Sequence, residues 1–255
     1  GMAVKAGSKG APDCTNCHGE HNLLAPADAG SLVNPARVST VTCGRCHADE
    51  RLAARYNMAQ DKLPSFQDSF HGLAARGGAQ TVANCASCHG MHDIKAVKDP
   101  ASPVSPLKVP FTCGKCHQEG TVVMRQRSIH QDHILENYSE SIHGEGLLKK
   151  GLVVSANCAS CHTAHNIRSH TDAESSIARG NIAKTCTQCH AQIEAVHRKV
   201  IKGELWEKEA HVLPACIDCH QPHKVRKVFY TQGMADTDCL KCHQERGLTA
   251  QDGRE

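Results

Sequence analysis

All 16 cysteines of the chain stand in pairs, two residues separate the members of each pair, and a histidine directly follows every pair. The sets are Cys14, Cys17 and His18; Cys43, Cys46 and His47; Cys85, Cys88 and His89; Cys113, Cys116 and His117; Cys158, Cys161 and His162; Cys186, Cys189 and His190; Cys216, Cys219 and His220; and Cys239, Cys242 and His243. No cysteine is left over for a disulfide. A zinc ribbon, a redox dithiol or a disulfide framework uses paired cysteines without needing a histidine after the second. Eight such sets leave about 32 residues for each, too few for an independent core.

C-x-x-C-H is the attachment signal for a c-type haem. The two thiols add to the porphyrin vinyl groups, and the adjacent histidine binds the iron from one side. Eight haem c groups are therefore the expected cofactors. Composition agrees: aromatic residues make up only 3% of the chain, with one Trp and four Phe. A protein core of ordinary size uses more large rings than that. The porphyrins are expected to supply the missing apolar bulk, so the apoprotein should not fold alone. The fold class expected is short α-helices and irregular loops wrapped around a haem chain, with almost no β-sheet.

The formal charge of +3 omits the cofactors. Two propionates per haem turn the balance negative, so basicity gives no argument for nucleic-acid binding. No stretch approaches the roughly 18 apolar residues of a transmembrane segment. No leader is recognisable, and one is expected to have been removed. Haem attachment of this kind takes place outside the cytoplasmic membrane, so a periplasmic or extracellular location is expected.

The chain repeats itself. One copy reads Ser69-Phe70-His71-Gly72, then Asn84-Cys85-Ala86-Ser87-Cys88-His89 with His92 three residues on, then Asp99, Ser102 and Val104, and closes at Thr112-Cys113 and His117. The next reads Ser141-Ile142-His143-Gly144, then Asn157-Cys158-Ala159-Ser160-Cys161-His162 with His165, then Asp172, Ser175 and Ile177, and closes at Thr185-Cys186 and His190. Four dihaem repeats are expected, at 1–59, 60–130, 131–200 and 201–255, the last shortened, together forming one continuous polyhaem unit. Each C-x-x-C-H is expected to open a short helix. Longer helices are expected over 51–60, 120–138 and 192–206. The four prolines between Asp99 and Pro110 predict an extended segment.

Eleven histidines lie outside the motifs, and all-bis-histidine coordination of eight irons needs eight of them. Each full repeat carries two haem motifs and two extra histidines, one in S-x-H-G and one in C-H-x-x-H, so the number closes within the unit. His21, His71, His92, His143, His165, His211 and His223 are the sixth ligands the repeat supplies. His92 cannot serve the haem of His89, because the two lie on one face of a helix and the porphyrin stands between. Gly1 occupies the register of Gly72, so the first S-x-H histidine is missing. The eighth ligand is expected at His130, with His197, His133, Met58 or a histidine of a neighbouring chain as alternatives. His170 reads as a surface residue.

These motifs resemble those of the bacterial multihaem cytochromes c with doubled C-x-x-C-H-x-x-H, most of all the low-potential cytochromes of metal- and sulfur-respiring bacteria. The resemblance rests on the eight motifs and on the S-x-H-G elements Ser69–Gly72 and Ser141–Gly144. It implies haems in a continuous chain of stacked and perpendicular pairs, with electrons moving along it. Some members of the family polymerise into extracellular wires, and others feed terminal reductases in the periplasm. The partners implied are redox proteins, as electron donor and acceptor, and a second copy joined head to tail. Imidazole on both faces of each iron leaves no site for substrate and gives lower potentials than Met/His pairs. The chain is therefore expected to be an electron carrier and not an enzyme. The competing classes are a multihaem oxidoreductase whose one incompletely ligated haem is the active site, and an electron-transfer domain of a larger respiratory complex.

Overall fold

The computed structural model describes residues 6–79, 81–126, 129, 131–192 and 215–226. Among these residues there are short helices joined by turns and loops, and no β-strand. That is the fold class the sequence leads one to expect.

The helices run for three to nine residues, and their ends are set by local side chains. Cys14–His18, Cys85–His89 and Cys158–His162 are each preceded by an N-cap residue: Asp13, Asn84 and Asn157. The cap carboxylate or amide oxygen accepts a backbone N–H of the first turn. The third helical residue (Asn16, Ser87 or Ser160) accepts the cap's own N–H in return, at 2.9, 3.2 and 3.1 Å. This reciprocal box starts a helix at the first cysteine. Gly19 and Gly90, at φ 83° and 81°, end the first two helices, and Thr163, at φ 65°, ends the third.

The even-numbered motifs behave differently from expectation. They sit at the end of a helix that is already running: Cys113 and Cys116 lie in Val109–His117, and Cys186 lies in Ile182–Thr187. In the first copy Val38–Cys43 is a π-helix, followed by the α-turn Gly44–His47. The sequence gives the reason. Twelve residues lead from Ser31 to Cys43, but eleven from Ser102 to Cys113 and from Ser175 to Cys186. The wider π-turn absorbs the extra residue.

The segment from Asp99 to Pro110 is not extended. It is a staircase of turns in which Asp99, Ser102, Ser105 and Lys108 each donate N–H to the carbonyl three residues back. Pro100, Pro103 and Pro106 follow the first three of these donors, where no N–H is needed and φ is already suitable. The same staircase is built without those prolines at Asp28, Ser31, Asn34 and Arg37, and at Asp172, Ser175, Ala178 and Asn181. Ser31, Ser102 and Ser175 are almost fully buried in its hollow and donate to the carbonyls of Leu24, Lys95 and Arg168 at 3.2, 3.4 and 3.3 Å. Thr42, Thr112 and Thr185 tie the staircase to the following helix through Leu32, Pro103 and Ser176 carbonyls.

The long helix expected over 120–138 is broken. Val122–Gln126 and Ile134–Glu140 are separate helices, and His133, at φ 53°, precedes the second. Glu50–Tyr56 falls within the expected 51–60 helix apart from its first residue. Residues 193–206, Trp206 among them, lie outside the described residues.

The interior holds few large apolar side chains. Val38, Ala53, Tyr138, Leu147, Ala178 and Ile182 are the buried hydrophobic residues among those described, while Met91 and Val154 are 71% and 87% exposed. Hydrogen-bonded serines fill more of the interior than hydrophobic rings do.

Candidate metal centres

The S-x-H-G element explains itself atom by atom. Ser69 Oγ donates to the Phe66 carbonyl at 2.6 Å and accepts the Gly72 N–H at 3.1 Å. Ser141 does the same with Tyr138 and Gly144, at 2.6 and 3.0 Å. Gly72 and Gly144 are packed so close to the Phe66 and Tyr138 carbonyls that a Cβ could not fit. Serine caps the turn, glycine admits the carbonyl of the preceding aromatic residue, and the histidine between them is held in one place.

That place is opposite a second histidine. His71 faces His117 with ring centres 6.2 Å apart, and His143 faces His190 at 6.0 Å. The C-H-x-x-H histidines are also paired: His92 with His18 at 6.1 Å, His165 with His89 at 6.0 Å and His223 with His162 at 5.9 Å. A metal about 2 Å from one nitrogen of each of two facing rings puts the ring centres roughly 6 Å apart. The donor set therefore fits an iron between two imidazoles, and each pair includes the histidine of a C-x-x-C-H. The described residues fit the group the motif implies at five places.

The pairs fall into two kinds. S-x-H-G histidines meet a motif of their own repeat, with ring planes inclined by 45–50°. C-H-x-x-H histidines meet the odd-numbered motif of the repeat before, with planes only 4–16° apart. The number of ligands thus closes across repeats and not within one. Backbone bonds brace the second kind: Phe70 N–H donates to the Ile167 carbonyl at 2.7 Å, and Ile142 N–H to the Val225 carbonyl at 2.8 Å. Each locks an S-x-H-G turn to the residue two past the C-H-x-x-H histidine of the next repeat.

Burial keeps these imidazoles neutral, the form that offers a lone pair. It pushes His71 and His162 down to about 4, with His117 and His223 as the nearest positive neighbours. Burial also lowers His89, His117, His143, His165 and His223.

The cysteines show the order of the sites. Cys43 and Cys85 thiols share a hydrogen bond, as do Cys113 with Cys158 and Cys186 with Cys216. In the holoprotein these atoms are thioether sulfurs, so porphyrin edges meet there. Inside each repeat the second cysteine of one motif lies near the next motif: Cys17 near Cys46, Cys88 near Cys113 and Cys116, Cys161 near Cys186 and Cys189. Motifs one to seven follow one another in space as they do in sequence. Arg179 adds a two-pronged bond to Asp218 at 2.7 and 2.6 Å, clamping the seventh motif to the sixth.

Other candidates are placed elsewhere. His133 is exposed and its Nδ1 lies 2.7 Å from Glu119 and 2.6 Å from Glu136, with no ring opposite, so it is not an axial ligand in this structure. The two carboxylates raise its pKa. His21 has its side chain 91% exposed, beside Glu20. His47 is exposed, and among the described residues no ring faces it or His220. His170 is exposed. Met58 is half-buried and its N–H bonds to Ala53. His130, His197, His211, Cys239, Cys242 and His243 lie outside the described residues, as does the side chain of Cys219.

Over 96 residues, 34% of this chain, the sequence is 30% identical to a protein of Escherichia coli O6:H1 (strain CFT073) described as "Cytochrome c-type protein NrfB". The matched region spans about half of that relative, 51% of its length. No family model matches the chain, and no solved structure matches it. Among the described residues no helix is long and apolar enough to cross a membrane.

Proposed function

We propose that this chain is an electron-transfer protein of the multihaem cytochrome c type, carrying eight covalently bound haem c groups between a redox donor and a redox acceptor outside the cytoplasmic membrane. The observation that carries this reading is the set of five histidine pairs at about 6 Å, a spacing that suits an iron with imidazole on both faces. Similarity to a c-type cytochrome supports it. Bound haem supplies a one-electron iron couple. The chain's own contribution is to fill both axial positions, to fix neighbouring sites in order through the paired cysteines, and to tune each site by burial and hydrogen bonds. Low potentials follow from the bis-histidine ligand set.

A second reading rests on His47. It is exposed and no described ring faces it, so its haem is the candidate for an open coordination position and for reductase chemistry. Electron paramagnetic resonance of the ferric holoprotein tests both. The carrier reading expects low-spin haem of two classes, for near-parallel and for inclined imidazoles. A high-spin haem that shifts on adding nitrite or cyanide, in the dilute single chain and in proportion to turnover of the anion, would favour the reductase.

A further inference from the structure

We propose that His21 is the sixth ligand of the His220 haem in a second copy of this chain, so that copies join head to tail through an iron. The inference rests on the haem-binding reading above. The pairing rule is a one-repeat shift: His92 goes to His18, His165 to His89 and His223 to His162. Within the sequence this leaves one C-H-x-x-H histidine unused, His21, and one odd-numbered motif without a histidine of that kind, the motif of His220. Donor and acceptor are of the same class, and they lie in the first and the fourth repeat.

The surroundings of His21 agree. Where an S-x-H-G turn of the preceding repeat covers the C-H-x-x-H segment, Ile167 and Val225 accept its N–H and are half-buried. Leu23, in the same register after His21, is 69% exposed, and the His21 side chain is 91% exposed. The helix that presents it is fully capped by Asp13 and ends at Gly19, so the segment is shaped like its counterparts and lacks only their cover. A contact of this sort uses different surfaces on the two copies and propagates into a linear assembly. The consecutive order of the motifs then continues from the seventh of one copy to the first of the next.

The test uses the ferric holoprotein. Intact mass is measured first, because a haem deficit would count against the haem reading and not against this contact. Sedimentation velocity and electron paramagnetic resonance then follow a dilution series. Mass is expected to rise with concentration while one haem per chain passes from high-spin to low-spin. His21→Ala should stay a single chain at every concentration and keep that high-spin haem. Leu23→Asp, with the ligand intact, should shift the association midpoint at least tenfold toward higher concentration. His170→Ala should behave as the unaltered protein does. Association of His21→Ala like that of the unaltered protein, or a single-chain mass for the unaltered protein throughout, would overturn the proposal.

Discussion

His165 faces His89 at 6.0 Å with ring planes only 4° apart, although the two belong to different repeats. Each histidine is three residues from another that serves a different site, so a change at one position should be read at a distance. His165→Ala is expected to leave the haem of its neighbour His162 low-spin, because His223 faces that ring, and to turn the haem of His89 high-spin. One haem equivalent per chain should change, seen by magnetic resonance and by the visible spectrum. A change centred on the His162 haem would mean that ligation closes within the repeat.

Gly144 sits against the Tyr138 carbonyl with no room for a methyl group. Gly144→Ala must push the turn away from that carbonyl. Overpacking of this kind costs about 1–3 kcal/mol, and the His143 ring moves with the backbone. Thermal unfolding of the holoprotein should show the loss, together with partial high-spin character at the His190 haem. Ser141→Ala removes only the cap and should cost about 1 kcal/mol. Equal stability of Gly144→Ala and the unaltered protein would contradict the close packing.

The two classes of extra histidine were legible in the sequence because each belongs to a short motif whose residues act locally. Serine, aromatic residue and glycine around His71 and His143 do in the structure what their spacing suggests. Which iron each histidine faces was not legible, since it depends on Phe70 and Ile142 bonding to Ile167 and Val225 far along the chain. Pro100, Pro103 and Pro106 suggested extension for a related reason. Proline fixes φ equally well for an extended strand and for a turn, and the choice was made by Ser102 and Thr112, whose hydroxyls close the staircase. The even-numbered motifs gave no local sign that they end helices, because the helix is already running from Val109 or Ile182 upstream of the cysteines.

Thr163 holds a left-handed backbone, φ 65°, where the first two copies have Gly19 and Gly90. Its hydroxyl is buried with no hydrogen-bond partner among the described residues. A residue with a Cβ pays roughly 1–2 kcal/mol in that conformation, and glycine's extra freedom in the unfolded chain returns part of the gain. Thr163→Gly is therefore expected to stabilise the holoprotein by about 1 kcal/mol, read as a higher denaturant midpoint. A lower midpoint would show that the hydroxyl is held by the bound haem, through a propionate, more strongly than the backbone strain opposes it.

The helices of three to nine residues are shorter than the ~12–15 that an isolated helix needs to be even marginal in water. Tertiary packing must hold them, yet the buried apolar side chains among the described residues are few, and only Tyr138 carries a large ring. Capping boxes and staircases fix local geometry but supply little burial. Leu23, Met91 and Val154, all more than two-thirds exposed without cofactor, are surfaces that porphyrin or a second chain would cover. The apoprotein, made without haem attachment, is therefore expected to show the far-ultraviolet circular dichroism of a coil and no cooperative thermal transition. Attachment should restore both together. An apoprotein with holoprotein-like helix content and a sharp transition would mean that the polypeptide alone carries the fold, and that the porphyrins are cargo and not core.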